Sequence, residues 1–405
     1  MILLLALLAI DFGRDVAPIL ERHCVECHRP GEVAPFPLIT YDDAKTHAKL
    51  IAKVTASRYM PPWKPVHGYG RFQGERRLTD AEIATLNRWA ALGAPEGKLN
   101  LTPPPTRPSR PPPDLTMSMT APYEITPDGP DTYRCFVVPF NSTEEHWVRL
   151  VDYQPSNRKV VHHALFFTTM SRDLPKDYPC FGTPGFLPTS SLGGWSPGNQ
   201  PLELPAGTAM RLPRNSRLVM QLHFHPTGKP EVEQSRLGVY FTTAPTRHIA
   251  DIGLISKAID IPPGDAAYKV RDHFTLPVNV HAVGIIPHAH YICKDVKGWA
   301  TLPNGKRVWL LWIKDWDFNW QDRYWYKEPV ALPEGTRVEM EFTYDNSAAN
   351  PHNPNSPPQR VTWGGGSTDE MAGLHIQVLA DNEEDLPELG RYLWGKIMRM
   401  VGGRF

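Results

Sequence analysis

Beyond about residue 114 the chain alternates apolar and polar positions in short runs, as in Arg217-Leu-Val-Met-Gln-Leu-His-Phe-His225, Arg236–Phe241, Arg307–Ile313 and Arg337–Tyr344. A period of two sets successive side chains on opposite faces of an extended strand, so these runs predict antiparallel sheets. The first hundred residues carry a different period. Val16, Ile19 and Leu20 share one face of a helix over Asp15–Cys24, and Thr79-Asp-Ala-Glu82 is a capping box that opens a second helix with Ile83, Leu86 and Trp89 inward and Gly93 as its stop. Helical spacing returns only near 384–399, at Leu386, Leu389, Leu393 and Ile397. The pattern predicts a small all-α unit followed by a β-sandwich body over about 114–395.

Length and composition sharpen the division. A chain of 405 residues exceeds one core and suggests several domains. Its 43 prolines favour short strands and turns. Residues 102–113 hold seven of them and predict an extended spacer, about 37 Å at roughly 3.1 Å per residue. Residues 2–10 are an apolar run too short to span a bilayer and of the length of a signal-peptide core. The expected order is a signal-peptide remnant (1–10), a helical domain (11–98), a proline-rich linker (99–113) and two β-sandwich domains (114–248 and 249–395). Lys+Arg and Asp+Glu balance at 43 each, which favours no nucleic-acid partner, and no stretch predicts a stable membrane span.

The helical unit carries Cys24-Val-Glu-Cys27-His28, the spacing by which one haem is attached through two thioethers. It resembles the attachment site of c-type cytochromes. That resemblance implies haem c on Cys24 and Cys27, His28 as an axial ligand, and maturation outside the cytoplasm, in the periplasm or an equivalent exported location. Met60, in Tyr-Met-Pro-Pro-Trp63, is the candidate sixth ligand because a thioether raises the potential and the prolines stiffen its loop; His67, His23 or an open position are the alternatives. Three cysteines remain, so at most one internal disulfide forms, with Cys135–Cys180 preferred because both flank the β segment around His162.

The β body carries the second chemistry. Alternation puts Leu218, Met220, Leu222 and Phe224 on one face and Val219, Gln221, His223 and His225 on the other, and His288 and His290 share a face in the same way. Two imidazoles at i and i+2 form half of a type 2 copper site. His162 and His163 are adjacent, so a regular strand would point them apart, and one ion can hold both only where the strand bulges or ends. Gly364-Gly-Gly366 predicts a turn ahead of Met371, and Asp381–Asp385 a solvated helix start.

In order and spacing these residues resemble the type II copper, ascorbate-dependent monooxygenases, the family of peptidylglycine α-hydroxylating and dopamine β-monooxygenases, over about 114–380. The resemblance implies two jelly-roll-like domains and two copper ions, one on His162, His163 and His223, the other on His288, His290 and Met371. It further implies that the first passes an electron, while the second binds O2 and hydroxylates a small-molecule substrate. Tethered haem c suggests an electron donor that replaces or assists ascorbate, with a further external donor feeding it. His225 falls outside the ligand set, as a partner of a ligand or an exposed residue. Where peptide-hydroxylating members bind a substrate carboxylate, this chain has Ile286, Gly373 and His375, so an apolar or aromatic small molecule is expected rather than a glycine-extended peptide. The reading from another class is a haem and copper electron-transfer or redox-sensing protein without hydroxylase activity.

Overall fold

The structure, a computed structural model, describes residues 10–402 apart from 31, 33, 98–109, 141, 181–183, 187, 197–198, 200, 245–246 and 367. The apolar run at 2–9 and most of the proline-rich spacer lie outside the described residues. The chain divides into two compact units, Met1–Trp63 with Gly74–Pro112, and Lys64–Gln73 with Pro113–Phe405.

In the first unit the described elements are helical. A π-helical turn, Phe12–Val16, leads into α1 (Ala17–His23), followed by α2 (Tyr41–Thr46), α3 (Ala48–Ala56) and α4 (Asp80–Ala91). Val16, Ile19 and Leu20 are buried with Leu86 and Trp89 in one core. Phe12 anchors it, its ring 5.4 Å from Tyr41 and 5.9 Å from Trp89. The capping box at Thr79 and Glu82 forms, and Gly93 follows the helix at φ +82°, a conformation that costs glycine little. The pair α2 and α3 was not expected from the sequence. Its signal is a second capping box in which Asp43 stands where Glu or Gln is usual.

The second unit is mostly antiparallel sheet. Its N-terminal part pairs a five-stranded sheet, in the order Asp177–Pro179, Thr132–Pro139, Arg217–Phe224, Val161–Thr169, Ser190–Trp195, with another built on Leu115–Ser118, Arg236–Thr242 and His146–Gln154. Side chains of both fill one core that includes Leu218, Met220, Leu222 and Phe224, the face expected from alternation. The opposite face is covered too. Val219 packs with Cys135, Val137 and Cys180 in a satellite cluster, and Cys135 and Cys180 are joined in a disulfide.

After residue 249 new sheets begin. One runs Ile249–Ser256, Ala372–Ala380, Val280–His288, Tyr324–Leu332, and the other Tyr268–Thr275, Arg337–Tyr344, Cys293–Thr301, Arg307–Ile313. They stack as a sandwich: a Cβ on Gly298 of the second would lie 2.7 Å from Leu374 and 3.5 Å from Ile285 of the first. Lys64–Gln73 joins this part, with Val66 N–H donating to Trp312 C=O (2.7 Å), Gln73 N–H to Trp325 C=O (2.8 Å), and Phe72 buried against Tyr324 and Tyr326. Helix α5 (Leu386–Gly402) closes the described chain, with Leu389 fully buried and Lys396 paired with Asp272. No described helix is long and apolar enough to cross a membrane.

Candidate metal centres

The adjacent histidines are brought together by a register shift. His223 pairs with His163, but the next residue, Phe224, pairs with Val161, so His162 is the extra residue of a β-bulge. The bulge swings both imidazoles toward His223. One ring nitrogen from each of His162, His163 and His223 lies within 4.8 Å of the others. The facing atoms are Nδ1 in all three: His163 Nδ1 is 3.4 Å from His162 Nδ1 and 3.2 Å from His223 Nδ1.

Their far sides are occupied. His223 Nε2 donates to Asp131 Oδ2 at 2.7 Å, and His162 Nε2 faces Asn319 Oδ1 at 3.4 Å. Tyr133 stacks on His223 with ring centroids 4.1 Å apart. Burial lowers His162 to about 4, lowers His223 despite the opposing pull of Asp131, and depresses His163 well below the usual imidazole range, with the other histidines adding to the effect. All three are neutral near pH 7, the form that ligates metal. His225, on the same strand face, is exposed and donates from Nδ1 to the other Asp131 oxygen at 2.8 Å. It is both solvent-facing and tied to a partner of the cluster, through a carboxylate that no sequence spacing singled out.

A second set forms at the end of the Val280–His288 strand. His288 and His290 have ring centroids 5.3 Å apart. His288 Nδ1 donates to Gln321 Oε1 at 2.6 Å, which leaves its Nε2 as an acceptor, while His290 Nδ1 donates to the Asp369 carbonyl at 3.0 Å and the Gly366 backbone also acts on that ring. Burial lowers both, His290 to about 3. Met371 heads the neighbouring strand, where Gly373 pairs with His288. Its carbonyl accepts the Tyr344 hydroxyl at 2.6 Å.

Glu370, which sequence reasoning passed over, holds this corner together. Fully buried, it accepts the backbone N–H groups of His290 (2.8 Å), Ile292 (2.8 Å) and Met371 (3.2 Å), and burial pushes its carboxyl up to about 8. The glycine turn before it works as expected, Gly366 N–H donating to Asp369 Oδ2 at 2.9 Å.

Phe318 stands between the two sets. Its ring stacks on His162 (5.2 Å, 19°) and meets His290 edge-on (5.7 Å, 83°). His288 and His290 are close enough to depress the proton affinity of His163.

In the first unit Cys24 and Cys27 are free thiols on the turn after α1, with the N–H groups of Cys27 and His28 donating to Cys24 C=O at 3.1 and 2.9 Å. Burial raises both thiols, Cys24 to about 12. His28 Nδ1 donates to Phe36 C=O at 2.9 Å, leaving Nε2 unprotonated. Met60 is half-buried beyond α3, its N–H donating to Val54 C=O at 3.1 Å.

Comparison with known proteins adds a direction. DBH-like monooxygenase protein 1 of Homo sapiens is 23% identical over 276 residues, and that of Mus musculus 24% identical over 275. The chain is distantly similar to both. Each alignment covers 60% of this chain and 43% of the relative, so the chain spans less than half the length of the curated relatives it matches. No protein-family model matches. Among solved structures, the VP2 subviral particle of infectious bursal disease virus aligns over 66% of this chain and 72% of that chain at 8% identity, but its TM-score of 0.20 carries no argument.

Proposed function

We propose that the protein is a copper-dependent monooxygenase that hydroxylates a C–H bond of a small organic substrate with O2, drawing electrons through covalently bound haem c, ascorbate, or both. The observation that carries this reading is the bulge at His162, which turns two adjacent imidazoles and His223 onto one point. Distant similarity to the DBH-like monooxygenases supports an oxidoreductase of monooxygenase type.

The donors suit copper. Two groups of neutral imidazoles, one with a methionine thioether close by in sequence and register, match an ion that cycles between Cu(I) and Cu(II). His162, His163 and His223 would hold one ion through Nδ1, and His288, through Nε2, would hold the other with His290 and Met371. Copper, when bound, supplies one-electron redox chemistry and the activation of O2. The protein's part is orientation and water exclusion: Asp131 and Gln321 set the tautomers of His223 and His288, Glu370 holds His290 and Met371 at one corner, and Phe318 fills the space between the sets. In the first unit Cys24 and Cys27 would carry the haem, with His28 Nε2 and Met60 as axial ligands. That chemistry, and the Cys135–Cys180 disulfide, support export to the periplasm or a similar oxidising space.

Metal and haem analysis of protein matured with a cytochrome c assembly system tests the reading, followed by oxygen uptake across a substrate panel. One haem, two coppers and substrate-dependent uptake are expected. Haem and copper without such uptake would return the protein to the electron-transfer reading, and fewer than two coppers would sink the proposal.

A further inference from the structure

Arg323 is a cation without a matching anion. Its Nε is buried and makes no hydrogen bond, and among the described residues no carboxylate lies within salt-bridge distance of the guanidinium. The two acids near enough to act on it have other partners. Asp251 Oδ1 accepts from His375 Nδ1 at 2.7 Å, and Asp322 Oδ1 accepts from Asn199 Nδ2 at 2.6 Å and from the backbone N–H of Arg323 itself at 2.8 Å. Burial outweighs both acids and lowers the guanidinium from 12.5 to about 10. The side chain is half-buried and its guanidinium lies 5.6 Å over the Trp325 ring, which offsets part of the charge, but no carboxylate pairs with it.

The strand register says what this charge faces. Gly284 pairs with Trp325 and Ile285 with Tyr324. Continuing the ladder sets Arg323 opposite Ile286 and Gln321 opposite His288, an extension that agrees with the 2.6 Å contact between His288 Nδ1 and Gln321 Oε1. With a period of two, Ile286, His288, Gln321 and Arg323 leave one face of the sheet. The guanidinium and the His288–His290 set are therefore diagonal neighbours, about 7–8 Å apart at the backbone in a regular ladder. Across from it the chain packs closely at Gly193: a Cβ there would meet Leu202 at 2.5 Å and both Nη atoms at 3.4 Å.

We propose that Arg323 anchors an organic carboxylate, so that the substrate is an acid whose apolar body lies along Ile286 toward His288 and His290. The guanidinium fork matches a carboxylate with two parallel hydrogen bonds, and the carboxylate brings the counter-charge that Arg323 lacks. Ile286 is compatible with an apolar substrate body, and its neighbour across the ladder adds a charge that linear spacing did not reveal. The hydroxylation itself rests on the monooxygenase reading; the carboxylate rests on the surroundings of Arg323 alone.

The test uses full-length, copper-free protein with phenylacetate and its neutral isostere phenylacetamide, followed by calorimetry. Wild type should bind the acid about ten-fold more tightly than the amide, Arg323→Lys should keep part of the preference, and Arg323→Gln should lose it. No preference in wild type, or a preference that survives Arg323→Gln, overturns the anchor. Thermal shifts give a reading that does not depend on the aryl group: acetate should raise the melting temperature of wild type and leave Arg323→Gln unmoved, whereas equal shifts overturn the proposal. As a folding control, Arg323→Met without ligand should melt at or above wild type; a fall of more than about 5 °C would make Arg323 a structural residue and overturn it as well. Carboxylate binding with no copper uptake would sink the monooxygenase reading and leave the anchor standing. Copper-dependent oxygen uptake with the same KM for acids in Arg323→Gln would sink the anchor alone.

Discussion

Asp131 accepts a hydrogen bond from His223 Nε2 at 2.7 Å, and that contact decides which nitrogen His223 turns to its neighbours. With the proton held on Nε2, Nδ1 is a lone-pair donor facing His163 at 3.2 Å. Removing such a partner typically weakens a metal site 10- to 100-fold. Asp131→Ala should therefore lower copper affinity at this cluster by about that factor, while Asp131→Asn, which keeps an acceptor, should lose less. Competition titration against a chromophoric chelator reads both, and wild-type affinity in Asp131→Ala would remove Asp131 from the site.

Glu370 has the corresponding role in the second set, through the backbone. Glu370→Ala would leave the amides of His290, Ile292 and Met371 buried without an acceptor, at about 1–3 kcal/mol each in the worst case. A loss of roughly 3 kcal/mol or more in urea unfolding is expected, together with selective loss of the copper assigned to His288, His290 and Met371. Uptake at the three-histidine cluster should persist.

The disulfide closes a 45-residue separation between Cys135 and Cys180 beside Gln221 and Val219. Chain-entropy reasoning gives about 4 kcal/mol for a loop of that size. The double variant Cys135→Ser/Cys180→Ser should lower unfolding free energy by up to that amount, and reductant should leave the variant unaffected while destabilising wild type.

Glu341 offers a pH signature away from the metal residues. Burial pushes its carboxyl up, but hydrogen bonds from Arg271 (2.5 Å) and Lys269 (3.1 Å) outweigh burial, and the net shift is downward from 4.5. A carboxyl depressed on folding adds stability above its unfolded value, and that stability is lost as pH falls through the folded one. Glu341→Gln should melt below wild type from pH 6 to 8, and the gap should close below about pH 4.5. A gap that stays constant down to pH 3 would show that the ion pairs contribute nothing.

Much of the architecture was legible because it depends on local periodicity. Arg307–Ile313 and Arg337–Tyr344 form the strands their alternation predicts, and Thr79 and Glu82 cap the helix their spacing predicts. His223 and His225 do share a face, as Asp131 shows by bonding to both. What was missed has few local cues. The α2–α3 pair opens on an unusual capping residue, and Lys64–Gln73 leaves its sequence neighbours because Val66 and Gln73 find backbone partners at Trp312 and Trp325, far along the chain.

The amino-acid order alone determined the long strands, the helices at Ala17–His23 and Asp80–Ala91, and which side chains of metal-binding type the strands present, since these follow from periods of two and 3.6 along a single segment. Only the tertiary structure decided the chemistry those side chains share. Whether His162 joins His163 depends on a partner strand sixty residues away and the bulge in its register. Asp131, Glu370 and Arg323 acquire their roles from neighbours brought in by sheet pairing, because hydrogen bonds and ion pairs depend on distance in space, which the linear spacing of residues does not encode.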